Sequence, residues 1–371
     1  RQMCIRDRYI GEGCRKFYNI VIAILLLLTG VVFVYTPGDL IANDIMGADP
    51  NSNVIWVIYA VIFAYYILST VLPIDKLIGR IYPIFGAFLI ISAIGVLIGI
   101  IFKGNADLSF KGQGLLAEHP LGQRFIPSFF ITVACGILSG FHGSQVTLVS
   151  RTVRSEKEAK TTFYSTMIAE GVIAMVWAAG AMVIFSTGTA ALDTPGTLMV
   201  GEISRYFMGN VGGLIAVIGV IALPITSGDT AFRSLRLIVA EELNIDQKVA
   251  GKRAGLAACL FVPAAAILYF AKSNPKGFNI LWRYFGFTNQ FVAIFALAVA
   301  TCYLIYNNKN YLITLIPGIF YTFIVFSFII NVKELGFGQD FKIAYPIAGI
   351  LAIAYAVFVV KAVSYTHLTL P

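Results

Sequence analysis

The stretch Phe17–Tyr35, FYNIVIAILLLLTGVVFVY, carries no charged side chain from end to end. About 20 mostly apolar residues in a helix are enough to cross the hydrocarbon core of a bilayer. Inside lipid only a helix satisfies every backbone N–H and C=O within one continuous segment. The same pattern recurs at Val54–Leu72, Ile81–Phe102, Pro127–Ser150, Phe163–Ser186, Gly212–Ala231, Arg253–Phe270, Phe285–Tyr306, Tyr311–Ile330 and Ala344–Val360. The spacing therefore predicts an all-α, polytopic transmembrane bundle of about ten spans. Composition agrees. Of 371 residues 58% are hydrophobic and 12% charged, half the roughly 25% charged of soluble domains, and mean hydropathy is +0.83. Too few charges remain to solvate a water-facing surface.

The formal net charge of +8 does not point to nucleic acid, because the basic residues are not clustered on one polar segment but sit in short loops between apolar runs. Alternate loops from the N-terminus, beginning with Arg15 and Lys16, hold fifteen lysines and arginines, against nine in the opposite set. The loop Thr36–Asn53 has three aspartates and no basic residue. Basic loops stay on the cytoplasmic side, so both ends of the chain are expected in the cytoplasm. Lys103–Arg124 and Thr187–Asn210 are longer, polar connections on the outer side, either simple loops or short helical lids. The five cysteines show no CxxC spacing, and three histidines without an HExxH pattern leave no zinc site. Residues 1–8 and 363–371 have no membrane logic. They are read as non-native tails around one domain over 9–362.

Four features break the apolar pattern at depths where polarity is expensive. In Gly136–Gln145, GILSGFHGSQ, three glycines within eight residues weaken the helix, and Ser139, Gly140, His142 and Gln145 arrive where it can unwind. Unwound backbone at membrane depth survives where it lines a cavity or is buried in protein. The plainer alternative is a close helix crossing permitted by glycine. Glu170 shares a helical stripe with Ala174, Ala178 and Ala181, so it is expected to face protein. It is read either as a coupling carboxylate or as a structural ion pair. In Leu223–Thr230, LPITSGDT, Pro224 removes a backbone donor, and Thr226, Ser227, Asp229 and Thr230 gather oxygens that suit a small cation or a proton relay. The alternative is a helix end with Asp229 as its cap. In Leu281–Gln290, LWRYFGFTNQ, the aromatic residues are interface anchors. Asn289 and Gln290 go deeper and, being adjacent, point to different helix faces.

Ser139–Gln145 with Arg151–Lys160, Ile168–Ala181, Leu223–Arg236 (LPITSGDTAFRSLR) and Trp282–Gln290 resemble, in order and spacing, signature regions of the carbon starvation proteins. The resemblance covers about Tyr9 to Lys361. It implies a bacterial inner-membrane secondary transporter taking up small peptides or pyruvate during nutrient starvation. It also implies the LeuT-like inverted five-helix repeats of the amino acid–polyamine–organocation superfamily. A glycine-rich segment of the type His-His-Phe-Ala-Ala-Ile-Ala-Gly-Ala-Gly, with its helices, is absent. On this resemblance the chain is a core lacking two or three N-terminal spans, and is expected not to transport by itself. The His142 segment then takes the place of the sixth core helix, one of the broken pair that cradles substrate, and Thr226–Thr230 that of the eighth, which supplies cation ligands.

The expected substrate ligands are thus Ser139, Gly140, His142, Gln145, Asn289 and Gln290. Glu170, Thr226, Ser227, Asp229 and Thr230 are expected to couple an ion. The partners are a peptide or pyruvate, a bound Na+ or transported H+, and the lipid bilayer. No cofactor is expected. Two other classes compete. A membrane-embedded enzyme using Glu170 or Asp229 has no GxSxG and no cysteine beside His142 to act as nucleophile. A starvation sensor would need a signalling domain, and Arg151–Lys160 and Ala231–Lys252 are too short for one.

Overall fold

A computed structural model describes residues 12–49, 52–71, 75–103, 124–132, 136, 138–150, 152–191 and 194–369. Among these the regular elements are helices: α1 Glu12–Leu40, α2 Val54–Val71, α3 Asp75–Lys103, α4 Phe125–Thr132, α5 Gly140–Val149, α6 Thr166–Ser186, α7 Met199–Glu242, α8 Ala250–Ser273, α9 Gly277–Tyr306, α10 Leu312–Asn331 and α11 Phe341–Thr369. Pro37, Pro83, Pro224, Pro263, Pro317 and Pro346 all lie inside helices. A proline in the helix interior forfeits a backbone bond. Spanning helices tolerate it because neighbouring helices and hydroxyl side chains satisfy the freed groups.

Among the described residues, eight helical stretches are long and apolar enough to cross a membrane. Two of the ten expected segments are not among them. The second, at Val54, is a shorter apolar helix, and within Pro127–Ser150 the described helices are α4 and α5, with Ser139 before α5 non-helical. Large apolar side chains remain exposed on outward faces, as along α3 at Ile84, Ile90, Ile91, Ile94, Ile98 and Ile101. An apolar face of this extent on a soluble protein would be a liability; against lipid it is the required surface. This is a multi-pass membrane protein.

The helices assort into two compact units, with boundaries inside α1 and α9 and just within α6. The first holds 1–25, 110–168 and 283–371. Its core is Ile131 from α4, Ile294 from α9, and Tyr321, Ile324, Val325 and Phe328 from α10. The second holds 26–109 and 169–282. There α3 lies along α7, with Val96, Val183, Ile184, Ile203 and Phe207 buried between α3, α6 and α7.

Three expectations about boundaries change. Thr36–Asn53 is not all loop: α1 runs on to Leu40 and a π-helical turn follows over Ile41–Ile45. The connection after Thr187 tightens into a 3-10 turn at Gly196–Leu198 and then α7, which favours the helical alternative there. The other long connection, at 104–123, lies outside the described residues, as do residues 1–11. At the other end, α11 continues through Val363 to Thr369 instead of stopping near Lys361.

Candidate functional site

The break expected near His142 is present. α4 ends at Thr132, α5 begins at Gly140, and Ser139 between them is non-helical. Both sides of the break lean on one stretch of α9. A Cβ at Gly286 would overlap the carbonyl oxygen of Ile131, and a Cβ at Gly140 would overlap that of Asn289. Glycine is required at both positions because backbone meets backbone there.

Asn289 fastens the second half-helix. Its Oδ1 accepts from the Phe141 amide at 2.7 Å and from the Ser139 hydroxyl at 3.0 Å. The first N–H groups of a helix have no partner within it, so α9 supplies in trans the acceptor that a cap residue would supply in cis. The backbone N–H of His142 turns back to the Ser139 carbonyl at 3.2 Å, and its side chain is half-buried. Ser139, Gly140 and Asn289 are therefore brought together, with His142 on the first turn of the helix they start.

The neighbouring amide behaves differently. Gln290 is 0% exposed, and neither its Oε1 nor its Nε2 has a hydrogen-bond partner among the described residues. The Nε2 of Gln145 is likewise buried without one. A buried amide left unsatisfied costs about 1–3 kcal/mol, so each such group calls for a partner. These carboxamides can donate to and accept from a bound carbonyl, carboxylate or peptide group.

The proposed coupling residues lie elsewhere. α7 passes straight through Pro224 and ends at Glu242, so Asp229 is not an end cap. The one non-helical residue of α7 is Gly209, at φ 71°. Thr226 bonds to the carbonyls of Ala222 and Leu223, and Thr230 to that of Ser227 at 2.8 Å. Ser227 is half-buried beside them. Asp229 itself is buried, accepts from Ser69 of α2 and pairs with Arg233 one turn on at 3.1 Å. Glu170, expected to face protein, is exposed. The buried stripe of α6 runs through Gly171, Val176, Gly180, Val183 and Ile184, rotated from the alanine stripe by about one residue.

One polar cluster went unread in the sequence. Asp39, at the end of α1, accepts from Lys272 at 2.8 Å, Tyr59 at 3.1 Å and Thr197 at 2.9 Å. Lys272 also lies 4.9 Å from the centre of the Tyr35 ring. Both charged side chains are nearly fully buried, at 6% and 5% exposed. The carboxylate accepts from three donors, and such added hydrogen bonds are what lets a buried pair hold together. Nearby, Arg205 of α7 bridges Asp44 and Glu202. No group of three or more metal-ligating side chains is found among the described residues.

A family model described as Carbon starvation protein CstA matches residues 8–208 and 203–327. A protein of Haemophilus influenzae described as an uncharacterized membrane protein is 34% identical over 235 residues, 51% of this chain and 63% of that one. A second Haemophilus influenzae protein is 43% identical over 124 residues, 33% of this chain and 86% of its own length. The peptide transporter CstA of Campylobacter jejuni is 24% identical over 393 residues, 85% of this chain and 53% of the transporter. The chain thus spans less than two thirds of the length of the first and the last of these relatives. No solved structure matches. The family match covers most of the chain, and the described residues form a helical membrane protein: the chain belongs to the carbon starvation protein CstA family.

Proposed function

We infer that the chain is the core of a carbon-starvation-type secondary transporter of the bacterial inner membrane, taking up a small peptide or pyruvate by ion coupling. The carrying observation is the interrupted helix α4–α5, pinned to α9 by Asn289, with the unpartnered, fully buried amide of Gln290 one residue on. Interrupted helices at membrane depth are where secondary transporters hold substrate. The relative named as a peptide transporter supports the same reading. On this view Ser139, Gly140, His142, Gln145 and Asn289 shape the site, and Gln290 takes its missing hydrogen bonds from substrate.

Asp229 is the stronger candidate for the coupling group, because a carboxylate buried in a spanning helix is retained for use. Ser69 and Arg233 hold it in place, and a proton or Na+ would compete with Arg233 for it. Glu170, with Thr226, Ser227 and Thr230, completes the proposed coupling set. The LeuT-like inverted repeat and the placing of both chain ends in the cytoplasm belong to this proposal too.

The test is uptake of labelled pyruvate and of di- and tripeptides into proteoliposomes holding the full-length protein, with proton and sodium gradients collapsed separately. Uptake abolished by collapse of one gradient supports the reading; uptake indifferent to both overturns it.

A further inference from the structure

In the second unit, the loop from α7 to α8 brings cations to a helix end that ordinarily attracts anions. α8 begins at Ala250 after Val249, which provides no side-chain cap, and its first turn holds no acidic residue. The first N–H groups of a helix have no partner within it, and its positive end favours negative charge. Lys252 and Arg253 sit there instead. Arg236 of α7 reaches toward the same loop: its Nη1 donates to the Oε1 of Gln247 at 3.0 Å. Arg236 is only 7% exposed, and its Nε has no hydrogen-bond partner. The Nε of Arg253 is likewise buried without one.

The charges of Arg233 and Arg253 both act on Arg236, and against them stands that of Asp229. Asp229 is already paired with Arg233 at 3.1 Å. The acid within the loop, Asp246, accepts from the Lys248 backbone N–H at 2.9 Å. A buried cation without a counter-charge is expensive, and like charges beside an uncapped helix start add to the cost. An anion seated among them relieves both. Guanidinium forks and the N–H groups of a helix start are recurring ligands of phosphate. The surroundings fit a phosphate at the membrane surface. Leu243 and Val249, at the two ends of the loop, are 61% and 47% exposed, and Lys248 and Lys252 are exposed as well. Apolar side chains beside lysines at helix ends match the boundary between acyl chains and headgroups. On the proposed orientation this end faces the cytoplasm, where the leaflet carries anionic lipids.

We propose that the start of α8 binds a phosphate group, held by Arg236, Arg253 and the backbone N–H groups of the helix's first turn. The phosphate belongs either to the headgroup of an anionic phospholipid or to a soluble phosphate. The binding stands without the transport reading above.

Thermal unfolding of the purified chain in detergent tests it, because a ligand of the folded state raises the unfolding temperature as its concentration rises. The probes are dioctanoyl phosphatidylglycerol, dioctanoylglycerol with the same acyl chains and no phosphate, and inorganic phosphate. Phosphatidylglycerol is expected to stabilise the wild type, and dioctanoylglycerol is not. Arg236→Met and Arg253→Gln are each expected to weaken that binding by at least about tenfold, the scale of one charge-assisted hydrogen bond. Arg253 is only half-buried, so its variant serves if Arg236→Met fails to fold. Lys309→Gln, at an exposed basic position in another loop, should bind as wild type does. Stabilisation by inorganic phosphate that the arginine variants also weaken shows that soluble phosphate suffices; stabilisation by phosphatidylglycerol alone assigns the site to lipid. The proposal is overturned if neither phosphate source stabilises the protein or if dioctanoylglycerol stabilises it equally. Affinity unchanged in both arginine variants, or reduced as much in Lys309→Gln, overturns it too. Absence of uptake in proteoliposomes would count against the transport reading alone.

Discussion

Asn289 and Gln290 are adjacent amides, both buried, and the structure predicts opposite consequences for removing them. Asn289→Ala takes away an oxygen that accepts from the Phe141 amide at 2.7 Å and the Ser139 hydroxyl at 3.0 Å. The hydroxyl can rotate to another acceptor. The amide, fixed at the first turn of α5, cannot. A buried donor stripped of its partner costs about 1–3 kcal/mol, and loss of a helix cap is typically worth about 1 kcal/mol. The two overlap, because it is the same N–H, so the expected loss is about 1.5–3 kcal/mol. At roughly 2 °C per kcal/mol for a large domain, the unfolding temperature of the purified protein falls by about 3–6 °C. Gln290→Leu removes a side chain of similar bulk whose polar atoms have no partner among the described residues. Replacing an unsatisfied buried amide by an apolar group is neutral or stabilising, so the unfolding temperature holds or rises. The assay is thermal unfolding of both variants in the same detergent without substrate. A Gln290→Leu protein destabilised as much as Asn289→Ala, or an Asn289→Ala protein as stable as wild type, would refute this account of the break.

Gly140→Ala and Gly286→Ala each force a Cβ against a backbone carbonyl, with an expected cost of about 1–3 kcal/mol from overpacking, measured as a lowered unfolding temperature; Gly251→Ala, where a Cβ meets open space, should cost nothing. Lys272→Met strands the buried Asp39 carboxylate at an expected cost of about 3–5 kcal/mol. Lys272→Met with Asp39→Asn should recover most of that loss, and a double variant no better than the single contradicts the pairing. In proteoliposomes, Asp229→Asn is expected to uncouple uptake from its driving gradient, whereas Glu170→Gln, at an exposed position, should have the smaller effect; unchanged gradient dependence in both would remove them from the coupling set.

The helix break was legible because it depends on local chemistry: glycines weaken the helix at the point where polar side chains appear. That Asn289 rather than Gln290 would cap α5 was not legible, since sequence puts adjacent amides on different faces without saying which face meets the break. The helix end offered as the alternative near Pro224 does not form, for a physical reason. A spanning helix absorbs one missing donor, and Thr226 and Thr230 bond back to their own helix, so α7 yields at Gly209 instead, where a positive φ is available. The Asp39–Lys272 pair was invisible because its members are 233 positions apart and Pro37-Gly38 reads as the start of a loop. Glu170 was misplaced because small residues mark a permissible contact face, not the one used. Its buried neighbours begin one residue later, about 100° around the helix.

The most direct measurement is the initial rate of labelled-substrate uptake into proteoliposomes, under an imposed gradient, by wild-type and Gln290→Leu protein of verified fold. The account predicts gradient-dependent uptake by the wild type and at least a tenfold loss in the variant, with no fall in its unfolding temperature. Uptake by Gln290→Leu at the wild-type rate would contradict the claim that substrate is held at the break between α4 and α5.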